Sequence, residues 1–338
     1  MRKRWLLSVL AAFPMVALPW SSVSAQTDFY KGKTVTIVVG TRLTGTIGLT
    51  AQLVSRHLGR FIPGNPTVIL RQMPGGAHLV ASGHVYNVPD PDGLTILAAN
   101  PAIAMAQLAK VKSVRFDVLQ YQWLGSTGPD GMLLGIRADL PYKTFKDIQA
   151  AKDELVVGTT GPGSNSHDVP LLLKDFAGAK LKLLAGYAAN GDIRLALERK
   201  EVDGWAALAG GVRRAVEQGV VRPLVRGRAP VPGFENLPVD EDLATSAVGR
   251  SLMVMRGSPL SIGKPYAVRP GTPGDRIAIL RDGFAKVVND STFLAEAAAA
   301  QIDMAHISAE QVTRDFTALM NQTPEALELM GKYLTVGE

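Results

Sequence analysis

The sequence predicts an α/β fold in which mainly parallel strands alternate with covering helices. Short β-branched runs recur between segments of helical periodicity, and turns rich in Gly, Pro and Asn separate them. At 46% hydrophobic, a mature chain of about 310 residues can bury two ordinary domains.

The first 25 residues stand apart from this pattern. Arg2, Lys3 and Arg4 precede the apolar stretch Trp5–Leu18, and Val23-Ser24-Ala25 has the small residues of a cleavage site. These are the marks of a secretory signal peptide, so the mature chain is expected to begin near Gln26 and to work outside the cytoplasm. No later stretch offers the ~18 continuous apolar residues of a spanning helix. Removing the three leader cations lowers the formal charge of +6 to +3. The remaining basic residues are scattered, which gives nucleic acid no footprint. The absence of cysteine excludes disulfides, thiol chemistry and a lipid-bearing N-terminal cysteine.

In chain order, Ile37–Val39, Val68–Leu70, Thr95–Ala98 and Val156–Gly158 read as buried strands. Between the first two, Ile47, Ala51, Val54, Leu58 and Phe61 recur at helical spacing and form one inner face. Arg56 and Arg60 fall outside it, and Pro63-Gly64-Asn65-Pro66 stops the helix. Asp90-Pro91-Asp92-Gly93 is a turn that delivers the third strand. Met132–Arg137 and Leu252–Arg256 read as strand-like segments that cross between two domains. One domain then covers residues 26–130 with 255–338, and the other covers 131–254. Thr272-Pro273 starts a helix with the stripe Ile277, Leu280, Phe284 and Val287. Ser308 with Gln311 forms a capping box, and Thr323-Pro324 opens the last helix.

Ile37–Val39 runs into a loop with Gly40 and Gly45, and Gly48 follows at the helix start. Strand, glycine loop and helix also describe phosphate loops. Here no Lys follows Gly45, and the glycine spacing does not fit the dinucleotide fingerprint. What remains is a helix start with the hydroxyls of Thr41, Thr44 and Thr46, which favours an anion such as a carboxylate. The bland alternative is a plain tight connection. Thr159–His167 repeats this character: Ser164 or Ser166 serves as N-cap, and the other hydroxyl is available to a ligand. In Tyr187–Asp192 an aromatic ring and an amide can wall and orient a small molecule. The alternative is an N-cap at Asn190 with Trp205 packed inside.

Catalytic and metal-binding patterns are missing. Ser166-His167 lacks a Gly-x-Ser-x-Gly elbow, and His78 and His84 are six apart without a nearby carboxylate. His57 sits on a helix, His306 stands alone, and the acidic residues are dispersed. No catalytic residue, cofactor or metal is expected.

Taken in order, the motifs resemble one family, the periplasmic solute-binding receptors of tripartite tricarboxylate transporters, also called Bug-type receptors. Phe29–Gly40 resembles the family's opening strand, and Pro63–Val68 with Gln72–Ala77 resembles its PGNP…NMPGAGG segment. Pro89–Ile96 is similar to its PxDGxTI turn and strand. Gly186-Tyr187 with Leu197–Gly204 resembles YxG…LxRGEVDG, and Tyr266–Pro273 with Leu280-Arg281 resembles PPGxPxxR…LRxAF. The resemblance runs through nearly the whole mature chain. It implies a periplasmic-binding-protein type II architecture: two α/β domains joined by two crossing segments, with a ligand cleft between. It also implies a monomeric periplasmic receptor for a small organic carboxylate, either a di- or tricarboxylate or an aromatic acid. Backbone N–H groups, hydroxyls and water would hold the acid, and integral membrane permease subunits would receive it. A receptor that feeds a sensor instead of a permease would use the same cleft and closure, whereas an exported enzyme would need chemistry these residues lack.

The chain departs from the family at the site. Gly48 stands where the family usually carries Asp, Gln52 stands where it carries Arg, and NMPGAGG has become Gln72–His78. Loss of a cleft carboxylate predicts an anionic ligand that needs no ammonium group. The expected ligand-binding residues are Thr41, Thr44, Gly45, Thr46 and Gly48 around the first loop and Asn100 after the third strand. Gly163, Ser164 and Ser166 belong to the second loop, and Tyr187, Asn190 and Asp203 lie beyond it.

Overall fold

The computed structural model describes residues 29–43, 46–300 and 302–333. The expected leader, and Thr44 and Gly45 of the first loop, lie outside the described residues.

The opening β-branched run forms β1 (Thr34–Val39). Alternation buries it on both faces: Val35, Ile37 and Val39 join one hydrophobic cluster, and Val38 joins another. α1 (Thr46–Leu58) returns the chain to β2 (Thr67–Gln72), parallel to β1. α2 (Leu79–Tyr86) leads to β3 (Thr95–Ala98), parallel to β1 on its other side. α3 (Ile103–Leu108) and β4 (Gln122–Ser126) complete this first pass.

The chain then crosses into a second sheet. It runs through β5 (Met132–Arg137), α4 (Phe145–Gln149), β6 (Leu155–Thr159) and α5 (Asn165–Ala177). It continues through β7 (Leu181–Ala185), α6 (Asn190–Glu198), β8 (Gly204–Leu208), α7 (Ala209–Glu217) and β9 (Val221–Arg226). α8 (Ala247–Ile262) carries it back to β10 (Pro265–Val268), α9 (Gly274–Val288) and α10 (Ser291–Ala299). β11 (Ile307–Ser308), α11 (Ala309–Met320) and α12 (Pro324–Tyr333) follow.

The first sheet has the order β11-β4-β10-β3-β1-β2, and the second β7-β6-β8-β5-β9. Both are mixed rather than mainly parallel. Strands joined through a helix pair in parallel, as in β1–β2 and β6–β7. β10 and β5, which begin where the chain enters a sheet directly from the other half, run antiparallel to their neighbours. β2 also differs from expectation. It pairs with β1 alone, so it is an edge strand, and Ile69 is 46% exposed.

One hydrophobic cluster joins the halves. It takes Val38, Leu97 and Trp123 from the first sheet and Leu134, Ile136 and Val157 from the second. Leu252, Met253 and Met255 of α8, Phe316 of α11 and Tyr333 of α12 complete it. Trp123 stacks on Phe316 at 4.4 Å between centroids, and Phe176 of α5 meets Tyr333 edge-on at 5.0 Å.

Leu252–Arg256 is therefore helical, not a strand-like crossing. Ser246 caps α8 by accepting the Gly249 N–H at 3.2 Å, and the apolar run is buried among neighbouring helices. A short apolar run does not by itself distinguish a buried helix from a strand. Met132–Arg137 is a strand, but it lies inside the second sheet. The crossings are residues 127–131 and 263–264, and the expected boundary at 254/255 falls within α8. The crossings touch. Gly263 has φ +76°, and a β-carbon there would lie 1.9 Å from the Gly128 carbonyl oxygen. Asp130 N–H donates to Leu260 O at 2.9 Å, and Thr127 N–H donates to Lys264 O at 3.2 Å.

Candidate functional site

The loops after β1, β2 and β3, the first crossing, the start of α5 and the end of α8 line an open cavity of about 370 Å³. That volume suits a small molecule. Thr41, Thr46 and Asn100 from the expected set line it, together with His78, Asp130, Asn165, Arg256 and Lys264. The structure thus brings three of the expected residues together and adds two cations that the motifs did not point to.

Each cation is anchored by an acid. Lys264 Nζ lies 2.9 Å from Asp130 Oδ1 and is almost wholly buried, so the pair ties the second crossing to the first. An ammonium has three donors, and Asp130 takes one. Arg256 Nε lies 3.2 Å from Asp168 Oδ2, within ion-pair distance but not aligned for a hydrogen bond. Asp168 also accepts the Gly163 N–H at 2.9 Å and lies 3.3 Å from His167 Nδ1. Burial pushes the Asp168 carboxyl up, and Arg256 opposes that shift most strongly. Burial pulls Arg256 down, and Asp168 holds it up. The wall is balanced in charge and rich in donors.

On two of the residues that line it, a buried polar atom has no hydrogen-bond partner among the described residues: His78 Nδ1 and Asn165 Oδ1. Burial lowers the His78 pKa, which favours its neutral ring. His78 itself is held in a left-handed conformation (φ +77°) against Gly40, where a β-carbon would come within 2.9 Å of its ring. Asn100 Oδ1 accepts the Ala102 N–H at 2.9 Å, which fixes the turn into α3.

The second loop spends its hydroxyls on itself. Ser164 stands at the N-cap position of α5, but its hydroxyl donates to Gly161 O at 2.7 Å rather than capping the helix. Ser166 Oγ is buried and accepts the Thr160 N–H at 3.0 Å. The Gly163 N–H is used by Asp168. These three residues shape the loop that presents Asn165.

The first loop folds back onto α1. A β-carbon at Gly48 would lie 2.4 Å from Arg42 O, and Gln52 Nε2 donates to Leu43 O at 3.0 Å. Position 48 therefore faces the loop backbone instead of the cavity. The two departures from the family pattern meet at Leu43.

The remaining expected residues lie apart. Asn190 lines a different cavity of about 760 Å³ with Leu208, Arg194 and Arg213. It is the first residue of α6, not its cap, and Trp205 Nε1 donates to its Oδ1 at 3.1 Å. Tyr187 is half-buried against β6, with its ring edge 3.3 Å from where a Gly158 β-carbon would stand. Asp203 precedes β8, beside the start of β6: its Oδ2 accepts the Val156 N–H at 2.9 Å, and Arg137 lies 3.5 Å from its Oδ1. The loops of the 370 Å³ cavity include the far end of β6, so Asp203 is separated from them by the length of the strand. Among the described residues no cluster of three or more His, Cys, Asp or Glu is placed to hold a metal ion.

Two α/β domains joined by touching crossing segments, with a polar cavity between them, define a type II binding-protein architecture. The chain belongs to the tripartite tricarboxylate transporter family receptors, whose family profile matches residues 55–256. A comparison with curated proteins finds no match. Among solved structures, a TctC solute-binding protein from Polaromonas without ligand superposes with a TM-score of 0.71 at 18% identity, covering 90% of this chain and 99% of that one. MatC from Rhodopseudomonas palustris with bound malate gives 0.52 at 18% identity, over 86% and 98%. A second R. palustris protein, solved with adipate, gives 0.53 at 19% identity, over 85% and 94%.

Proposed function

We propose that this receptor captures a small organic carboxylate in the 370 Å³ cavity and delivers it, by closure of its two domains, to integral membrane permease subunits. The observation that carries the reading is the convergence of Lys264 and Arg256 with the starts of α1 and α5 on one open cleft. Cations and helix N-termini both favour a carboxylate. The malate and adipate held by the two R. palustris proteins are acids of this size class. Thr41, Thr46, Asn100 and Asn165 supply the neutral contacts, and His78, kept neutral, adds no charge of its own. No free carboxylate faces the cavity, because Asp130 is answered by Lys264, so a substrate ammonium finds no partner. The receptor works as a monomer in the periplasm after loss of residues 1–25, and it binds its ligand without turning it over.

Calorimetric titration with malate, adipate and benzoate tests this. A single saturable site for at least one acid is expected, with no response to sugars or simple amino acids. Heat from sugars or amino acids, and none from any acid, rejects it.

A further inference from the structure

We infer that His78 holds the bound acid directly, as a neutral imidazole that donates its Nε2–H to a carboxylate oxygen. This role rests on the carboxylate reading of the 370 Å³ cavity and adds a contact to it. The segment that carries His78 is strained. Between β2 and α2, four successive residues have positive φ: Gly75 (+143°), Gly76 (+51°), Ala77 (+48°) and His78 (+77°). Glycine adopts such angles freely, whereas Ala and His do so at a cost in conformational energy. In the resembled pattern NMPGAGG, the places of Ala77 and His78 are both glycine.

Both ends of the segment are pinned. Met73 N–H donates to Val39 O at 2.8 Å, and Ser82 Oγ donates to His78 O at 3.0 Å. Ala77 is exposed and does not line the cavity, whereas His78 is half-buried and does. Gly40 makes room for it: a β-carbon there would lie 2.9 Å from both the Cα and the Nδ1 of His78. Strain that the surroundings hold in place, at a residue beside a ligand cavity, marks a functional constraint.

The setting of the ring assigns its proton. A neutral imidazole has one N–H. On Nδ1 it would be buried over Gly40, where no partner lies among the described residues. On Nε2 it is left to meet a ligand. Burial lowers the pKa of the ring, and no neighbouring charge adds to that shift. The charged groups that line the cavity with it are already paired, Lys264 with Asp130 and Arg256 with Asp168. A second proton would put an unpaired N–H over Gly40, so the ring stays neutral when the acid enters. Lys264 and Arg256 supply the charge of recognition, and His78 supplies a direction.

Calorimetry with malate and adipate tests this role. His78→Asn keeps a residue type that tolerates positive φ but cannot carry a donor out to the place of Nε2. Affinity for the better of the two acids should fall at least roughly tenfold, the size of one hydrogen bond to a charged group. His78→Gln, which returns an amide donor to that place, should recover most of the loss. Ala77→Gly should raise the melting temperature and leave affinity unchanged. At pH 8 the binding enthalpy of the unaltered protein should be the same in Hepes and in Tris, because no proton is taken up. Undiminished affinity in His78→Asn, no recovery in His78→Gln, an unraised melting temperature in Ala77→Gly, or an enthalpy that depends on the buffer each overturns the proposal. Silence of the unaltered protein toward every acid rejects the carboxylate reading itself, and this role with it.

Discussion

A β-carbon on Gly48 would lie 2.5 Å from the Cα of Leu43, whose carbonyl is held by Gln52. The loop that carries Thr41 is packed onto the first turn of α1 because position 48 has no side chain. On helix propensity alone, Gly48→Ala would stabilise by ~1 kcal/mol. Overlap with three backbone atoms of Arg42 and Leu43 reverses the sign, since overpacking costs ~1–3 kcal/mol. Gly48→Ala should lower the melting temperature and weaken carboxylate binding together. A rise in melting temperature would show that the loop does not rest on the helix.

Lys264→Met removes a buried ammonium and keeps the aliphatic stem. Loss of a charged hydrogen bond costs ~1.5–3 kcal/mol, so affinity for the best acid should fall by about 10- to 100-fold in calorimetry. Wild-type affinity would place the ligand elsewhere.

Arg256→Met strands Asp168, which is 2% exposed. Breaking a buried pair costs ~3–5 kcal/mol. Stability in urea should drop accordingly, and the double variant Arg256→Met/Asp168→Asn should recover most of it. The double variant should still bind acids poorly, which separates the folding role from the binding role.

Asp240 is buried, accepts the Glu241 N–H at 2.8 Å, and has its carboxyl pushed up to about 7 by burial. The folded state keeps its proton where the unfolded chain, with a carboxyl near ~3.9, has lost it. Stability is therefore fully present below pH ~4 and declines as pH rises toward about 7. Asp240→Asn should remove this slope and be the more stable protein at pH 8. Denaturant midpoints at pH 5 and pH 8 check it, and parallel curves for the two proteins would refute the assignment.

Asp203→Ala should cost stability, ~1–3 kcal/mol for an unanswered Val156 N–H, with carboxylate affinity unchanged. Weaker binding at wild-type stability would return Asp203 to the site.

Much of the frame was legible because its signals are local. β1, β3 and β6 stand out as β-branched runs, and the stripe from Ile47 to Leu58 fixes α1. Ser308 and Thr323 act as helix caps, accepting the N–H groups of Gln311 and Ala326. What escaped depends on distant partners. Leu252–Met255 is an unbroken apolar run because α5, α11 and α12 surround it, and no period within four residues reveals that. Arg256 and Lys264 are single cations in apolar or turn contexts, and their role appears only when the crossings bring them beside Asn165 and Thr46. The threonine loop was visible as helix-start chemistry. Ser164, Ser166 and Asp203 carry the same chemistry but use it on their own backbone. Residue type does not say which of these two uses applies.

The contact of Gly128 with Gly263 has a mechanical meaning. Two backbones that touch without an intervening side chain form a narrow pivot between the halves. A β-carbon does not fit between the two crossings, and the shared cluster around Trp123 and Phe316 packs the halves together beside them. Under the closure proposed above, recognition would reduce to the angle about that pivot: the acid that best holds Lys264, Arg256 and the Thr41 loop together at its closed setting would be the one retained.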